Sequence, residues 1–248
     1  MDYALTIALA VAFCAVASLY ASVGHGGASG YLAVMALAGM APAVMRPAAL
    51  GLNLAVAGLA AVAFARAGYF RWRLFWPFAA TSIPFAWLGG GASVSDAWFR
   101  LLVGGALFVA ALRFFLPAPA SNVAPRAPPV ALALWIGVVL GYLSGLVGVG
   151  GGIFLTPLLL LAGWARPKEA AAVSAPFIFV NSLAGLIGLM PAATLHPPTF
   201  GLWIAATLVG GLLGARLGSE RWPQVRLRQA LGAVLLVAST KFVLMVFA

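Results

Sequence analysis

Charge is what this 248-residue chain has least of: 14 Lys and Arg, four Asp and Glu and two His, with charged residues at 7% of the total. A soluble domain carries about 25%, so a water-facing surface cannot be assembled from it. The single cysteine, Cys14, excludes an intrachain disulfide and a cysteine metal cluster. All four carboxylates, Asp2, Asp96, Glu169 and Glu220, fall at the edges of apolar runs or in loops, and His25 and His196 are far apart. They supply no acid pair, no metal-ligand spacing and no triad, and no Walker-type loop is present, so neither an enzyme nor a built-in ATPase is expected. No cofactor and no metal is expected either. The net charge of +10 would suggest nucleic acid in a soluble protein. Here the arginines sit in loops between apolar runs, which is the positive-inside pattern of membrane proteins, and no nucleic-acid partner is expected.

Hydrophobic residues make up 64% of the chain and recur in runs near membrane-spanning length. The expected fold is therefore all-α: a polytopic membrane protein of about ten segments, with the lipid bilayer as its main partner. The leading segment, roughly Tyr3 to Val23, is preceded by Asp2 and has no basic residue, unlike a signal peptide, and reads as a retained first helix. A short piece from about Ala28 to Met40 follows, then a turn bracketed by Pro42 and Pro47, then a long helix to about Arg66. Further spans are expected over about Leu74 to Gly91, kinked at Pro84, and Trp98 to Leu116. The proline-rich stretch 117–129 reads as a linker between a first membrane repeat, 1–116, and a second, 130–248. Spans in the second are expected over about Val130 to Gly148, Gly152 to Gly163, Lys168 to Met190, Thr199 to Gly218 and Arg226 to Phe247.

The halves align. At a separation of 124, Val23, Gly24, Gly26, Gly27 and Gly39 fall on Val147, Gly148, Gly150, Gly151 and Gly163. At a separation of 128, Asn53 falls on Asn181, Arg100 on Arg228 and Phe114 on Phe242. Five segments per copy is an odd number, so the second copy should enter the membrane upside down. The loop bearing Arg66, Arg71 and Arg73 corresponds to an uncharged one near His196, and the loop at Asp96 to one rich in arginine. That swap fits inverted topology and places both termini on the outer side. Parallel repeats are the alternative.

Each copy contains one glycine-broken stretch, Val23-Gly-His-Gly-Gly-Ala-Ser-Gly-Tyr31 and Val147-Gly-Val-Gly-Gly-Gly-Ile-Phe-Leu155, opening a helix too short to span about 30 Å of hydrocarbon. Irregular backbone at that depth must be buried in protein or line a wet cavity. A helix amino end there favours an anion. An isolated ion in low dielectric costs tens of kcal/mol by idealised estimates. One helix end returns about 0.3–2 kcal/mol and a charge-assisted hydrogen bond about 1.5–3 kcal/mol. Several donors from both copies must therefore converge on any bound anion. The substrate-binding candidates are Gly24, His25, Gly26, Gly27, Ser29, Asn53, Gly148, Gly150, Gly151, Gly152, Thr156 and Asn181, with Ser22 and Ser144 flanking. For the glycines the competing reading is close helix packing of the Gly-xxx-Gly kind, as at Gly148 and Gly152; for the asparagines, an amide bridging two helices; for His25, a packed neutral ring. His25 is also the candidate for a coupled proton. Arg46 reads as a side chain snorkelling to the outer surface, with an anion-gathering vestibule as the alternative.

With those residues in view, the chain resembles the sulfite exporter TauE/SafE family, most specifically through Ser144-Gly-Leu-Val-Gly-Val-Gly-Gly-Gly-Ile-Phe-Leu-Thr-Pro157 and Asn181-Ser-Leu-Ala-Gly185. The first-half stretch resembles a variant of that signature with His25 inserted and no Thr-Pro pair. The resemblance implies a secondary transporter moving sulfite, a sulfonate such as sulfoacetate, or thiosulfate across the bacterial inner membrane. An anion channel, or a carrier for a carboxylate such as lactate, is the alternative.

Overall fold

The computed structural model describes residues 3–22, 26–115, 125–190, 197–217 and 224–247, and among them are ten α-helices and no strand. The first five are α1 (Tyr3–Ser22), α2 (Ala28–Leu37), α3 (Pro42–Arg66), α4 (Trp72–Gly91) and α5 (Asp96–Phe115). The second five are α6 (Val130–Val147), α7 (Gly152–Leu161), α8 (Pro167–Leu189), α9 (Pro197–Leu217) and α10 (Gln224–Phe247). Four of them, over Tyr3–Ala21, Pro42–Arg66, Val130–Val147 and Pro167–Leu189, are long and apolar enough to cross a membrane by length and composition alone. The protein is an all-α polytopic membrane protein. Residues 116–124 of the proline-rich region lie outside the described residues.

Local chemistry explains the helix starts. Pro42 and Pro167 occupy first-turn positions of α3 and α8, where the missing N–H costs nothing and φ is already set. Glu169 reaches back to accept from the Arg166 N–H at 2.9 Å, half of a capping box. Pro47, expected to close a turn, instead lies inside α3, which runs unbroken for 25 residues. It sits so near the helix start that only the Ala43 carbonyl loses its intrahelical donor. Pro77 and Pro84 both lie inside α4.

The two halves are interleaved. Helix α6 lies along α4 in the same direction: a Cβ on Gly137, Gly141 or Gly145 would overlap a carbonyl oxygen of Phe78, Ser82 or Ala86 in turn. The same relation joins α9 to α1, with Gly210 and Gly214 pressed on the carbonyls of Cys14 and Ser18. In each case the first helix of one half packs on the fourth helix of the other. Equivalent helices meet head to tail. Along α3 and α8, Leu50 faces Gly185, Asn53 faces Ser182 and Gly58 faces Phe179. Along α5 and α10, Gly104 faces Ser239 and Phe115 faces Gly232. A rotation exchanging antiparallel equivalents has its axis across the helices, which is the inverted-repeat arrangement. Two apolar cores result: one spans α1, α2, α3, α5, α9 and α10, the other α4, α6, α7 and α8.

Candidate functional site

Helices α2 and α7 have ten residues each, about 15 Å at 1.5 Å per residue. Each begins at a glycine, Gly27 or Gly151, with no side-chain cap, so among the described residues no capping side chain accepts from the first free N–H groups of either helix. In the second break Gly148, Gly150 and Gly151 have φ of 83°, 73° and 76°, left-handed conformations that only glycine adopts cheaply. Gly27 has φ of −87°, so the matched sequences do not give matched backbones. Gly24 and His25 lie outside the described residues, as does the side chain of Ser22.

Both breaks come to one place. A Cβ on Gly26 would lie 3.6 Å from Asn53 Oδ1 and 3.0 Å from Ile178 Cδ1. One on Gly150 would lie 2.7 Å from Asn53 Nδ2 and 2.8 Å from both Ile178 Cγ2 and Ser182 Oγ. Gly152 is also packed on Ile178. Asn53 stands near the middle of α3, so the meeting point is about halfway along the long helices. The side chain between the two breaks is Ile178, which the sequence did not mark. It precedes Asn181 by three residues on α8 and so shares its face.

The polar candidates separate into two groups. Asn53 is fully buried and donates from Nδ2 to the Val149 carbonyl at 3.2 Å, with Ser182 Oγ at 3.5 Å. Asn181 is fully buried and donates to the Phe177 carbonyl of its own helix at 2.8 Å. The Oδ1 atoms of both, and the Ser144 hydroxyl 3.5 Å from the Cβ position of Gly151, are buried with no hydrogen-bond partner among the described residues. Ser29 and Thr156 are different: Ser29 Oγ is bonded to Tyr20 OH at 2.7 Å and Thr156 Oγ1 to Ser174 Oγ at 2.8 Å. These two hydroxyls tie helices together.

Arg46 is placed otherwise than expected. Only 8% of it is exposed, and it does not snorkel. Its guanidinium donates to the carbonyls of Gly89, Gly90 (2.8 Å) and Ala92 (3.3 Å) at the carboxyl end of α4, and to Gly145 (3.1 Å) in the last turn of α6. Helix ends leave carbonyls short of intrahelical donors, the Gly89 carbonyl here having only the long 3.4 Å bond from the Ala92 N–H, and the dipole there favours a cation. The side chain also packs under Gly148, whose Cβ position lies 3.3 Å from Arg46 Cγ, so one cation staples α4, α6 and the second break.

The two ends of the molecule differ. A cavity of about 770 Å³ opens among the starts of α1, α3 and α9 and the carboxyl end of α2, lined in part by Ala41, Val44, Thr199, Phe200 and Trp203. Val44 and Asn53 are nine residues apart on α3, about 13 Å along the helix, and Phe200 of the cavity wall packs on Gly51, between the cavity and Asn53. At the other end Arg71 pairs with Glu169 at 3.4 Å and Lys168 lies 5.1 Å over the Tyr69 ring. Phe70, Trp72 and Phe75 stack alongside, with Phe78 against Trp164. At the repeat separation of 128, Glu169 and Arg71 correspond to Ala41 and Thr199 of the cavity wall.

Comparison with known proteins places the chain among membrane transporters. The chain is 36% identical over 239 residues to "Probable membrane transporter protein y4hK" of Sinorhizobium fredii, covering 95% of this chain and 97% of that one. Shorter matches join it to "Probable membrane transporter protein MJ0441" of Methanocaldococcus jannaschii, 45% identical over 58 residues (23% of this chain, 21% of the relative), and to "Probable membrane transporter protein YunE" of Bacillus subtilis, 33% over 84 residues (34% and 29%). No solved structure matches the chain significantly. The sequence model described as "Sulfite exporter TauE/SafE" matches residues 8–242. Matched over nearly its whole length by both the family and a full-length relative, the chain belongs to the sulfite exporter TauE/SafE family.

Proposed function

We propose that the protein is a secondary transporter for a small sulfur-containing anion, such as sulfite, thiosulfate or a sulfonate, in the bacterial inner membrane. The observation that carries this reading is the meeting of two uncapped helix amino ends at Asn53, midway along α3. Glycines there admit a ligand to the backbone N–H groups. Orphaned polar atoms on Asn53 and Ser144 lie beside Gly26 and Gly151, and Asn181, with its own orphaned oxygen, adjoins Ser182 on α8. Family membership supports transport, and the family's description supports sulfite-like cargo. The repeats, 1–116 and 130–248, are joined by the 117–129 linker, with both termini on the outer side and the Arg71–Glu169 end facing the cytoplasm. Because Ile178 stands between the breaks, the anion binds as that side chain moves aside.

The test is a thermal-shift panel on the purified protein with sulfite, thiosulfate, sulfoacetate and lactate, against chloride at equal ionic strength. A ligand that prefers the folded state raises the midpoint as its concentration passes Kd. At least one sulfur anion should do so, and the same anion should exchange saturably across proteoliposomes. A shift from lactate alone would replace the sulfur assignment with a carboxylate one; no shift from any anion would remove the anion site.

A further inference from the structure

The site has a second polarity, and we infer from it that the bound anion carries a hydrogen-bond donor of its own. The inference rests on the anion reading above. Asn53 and Asn181 are both fully buried, and each amide has its nitrogen on a backbone carbonyl, Val149 at 3.2 Å and Phe177 at 2.8 Å. Those bonds fix the orientation of both amides, because turning either over would set oxygen against oxygen. The atom left free is therefore an acceptor in both, and each Oδ1 lacks a partner among the described residues. A bare oxyanion cannot satisfy an amide oxygen, since both present lone pairs. Helix amino ends select negative charge, whereas the two amide oxygens select an X–H group.

One ligand class meets both demands: an oxyanion that keeps a hydroxyl, as a singly protonated sulfur acid or a hydroxy-substituted sulfonate does. Gly26 brings one break within 3.6 Å of Asn53 Oδ1, measured from its Cβ position, so donor backbone and acceptor side chain stand side by side. A site built this way should reject analogues that lack the hydroxyl, because its own buried acceptor is then left unpaired.

Two matched pairs test this at one fixed pH: ethanesulfonate against isethionate, and propionate against lactate, each pair equal in charge and differing by one hydroxyl. Competition against sulfite on the full-length purified protein should show the hydroxylated member of any pair that binds to be about tenfold tighter. Asn53→Leu, which removes the acceptor beside Gly26, should lower that ratio toward one. Should this variant fail to fold, the wild-type ratios decide the matter. Equal affinity within a pair that binds overturns the inference and leaves the anion site standing. So does failure of isethionate and lactate to compete where sulfite binds, and so does an unchanged ratio in folded Asn53→Leu. If sulfite and all four probes fail to bind, the anion reading itself has failed, and the donor inference goes with it.

Discussion

Arg46 illustrates how far a single residue can be read. Four residues into α3, an arginine among apolar neighbours reads as one that bends back to water. Its burial follows from something a local window cannot contain: the carboxyl ends of α4 and α6 arrive together and present four carbonyls to one guanidinium. Removing it strands those acceptors. Arg46→Gln should destabilise the folded protein by about 3–5 kcal/mol, the range for breaking a buried charged network, measured by unfolding in detergent. Arg46→Lys should recover only part of that, because an ammonium lacks the planar fork. Equal stability of wild type and Arg46→Gln would show that the carbonyls find other donors. Asn53 and Asn181 were legible from their equivalent places in the two copies, but which amide atom stays free depends on Val149 and Phe177. Ile178 gave no signal, being one more apolar residue in an apolar helix.

At the scale of elements, the ten segments and both short helices were visible in the spacing of apolar runs, glycines and prolines. Which glycines serve packing was not. Gly137, Gly141 and Gly145 recur every fourth residue in α6, yet only the position of α4 shows that they admit its backbone. The α4–α6 seam has glycines on both partners, Gly89 of α4 being pressed on the Tyr142 carbonyl, whereas the α1–α9 contact reaches the same closeness with Gly210 and Gly214 on α9. A side chain has no room at either seam. Gly145→Val should cost about 1–3 kcal/mol by overpacking and lower the thermal midpoint, whereas Leu132→Val, on the exposed side of α6, should fall within about 0.5 kcal/mol of wild type. If both variants melt alike, the α4–α6 seam is looser than its backbone contacts indicate.

For the whole molecule, inversion was legible because five segments is an odd number and the arginine-rich loops change places between copies. The head-to-tail contacts of α3 with α8 and α5 with α10 express the same relation in three dimensions. Equivalent residues should therefore face opposite compartments. In a Cys14→Ala background, Ala41→Cys should react with a membrane-impermeant maleimide on intact cells, and Lys168→Cys only after permeabilisation. Labelling of both from one side would rule out the inverted arrangement. What the sequence did not disclose is the difference between the two ends. An exposed ion pair such as Arg71–Glu169 contributes about 0–1 kcal/mol, so the aromatic contacts beside it are the larger share of the packing there.

Interleaving also sets a timetable for biosynthesis. The indole of Trp203 on α9 donates to the Thr6 carbonyl of α1 across 197 residues of chain. At ribosomal speeds of roughly 5–20 residues per second, α1 waits about 10–40 s for the helix it is shaped to receive. Throughout that interval the nascent membrane protein holds an unmated groove in lipid, while α4 and α6, made close together, can pair early. Assembly therefore ends where translation began, with the oldest helix among the last to be locked in place.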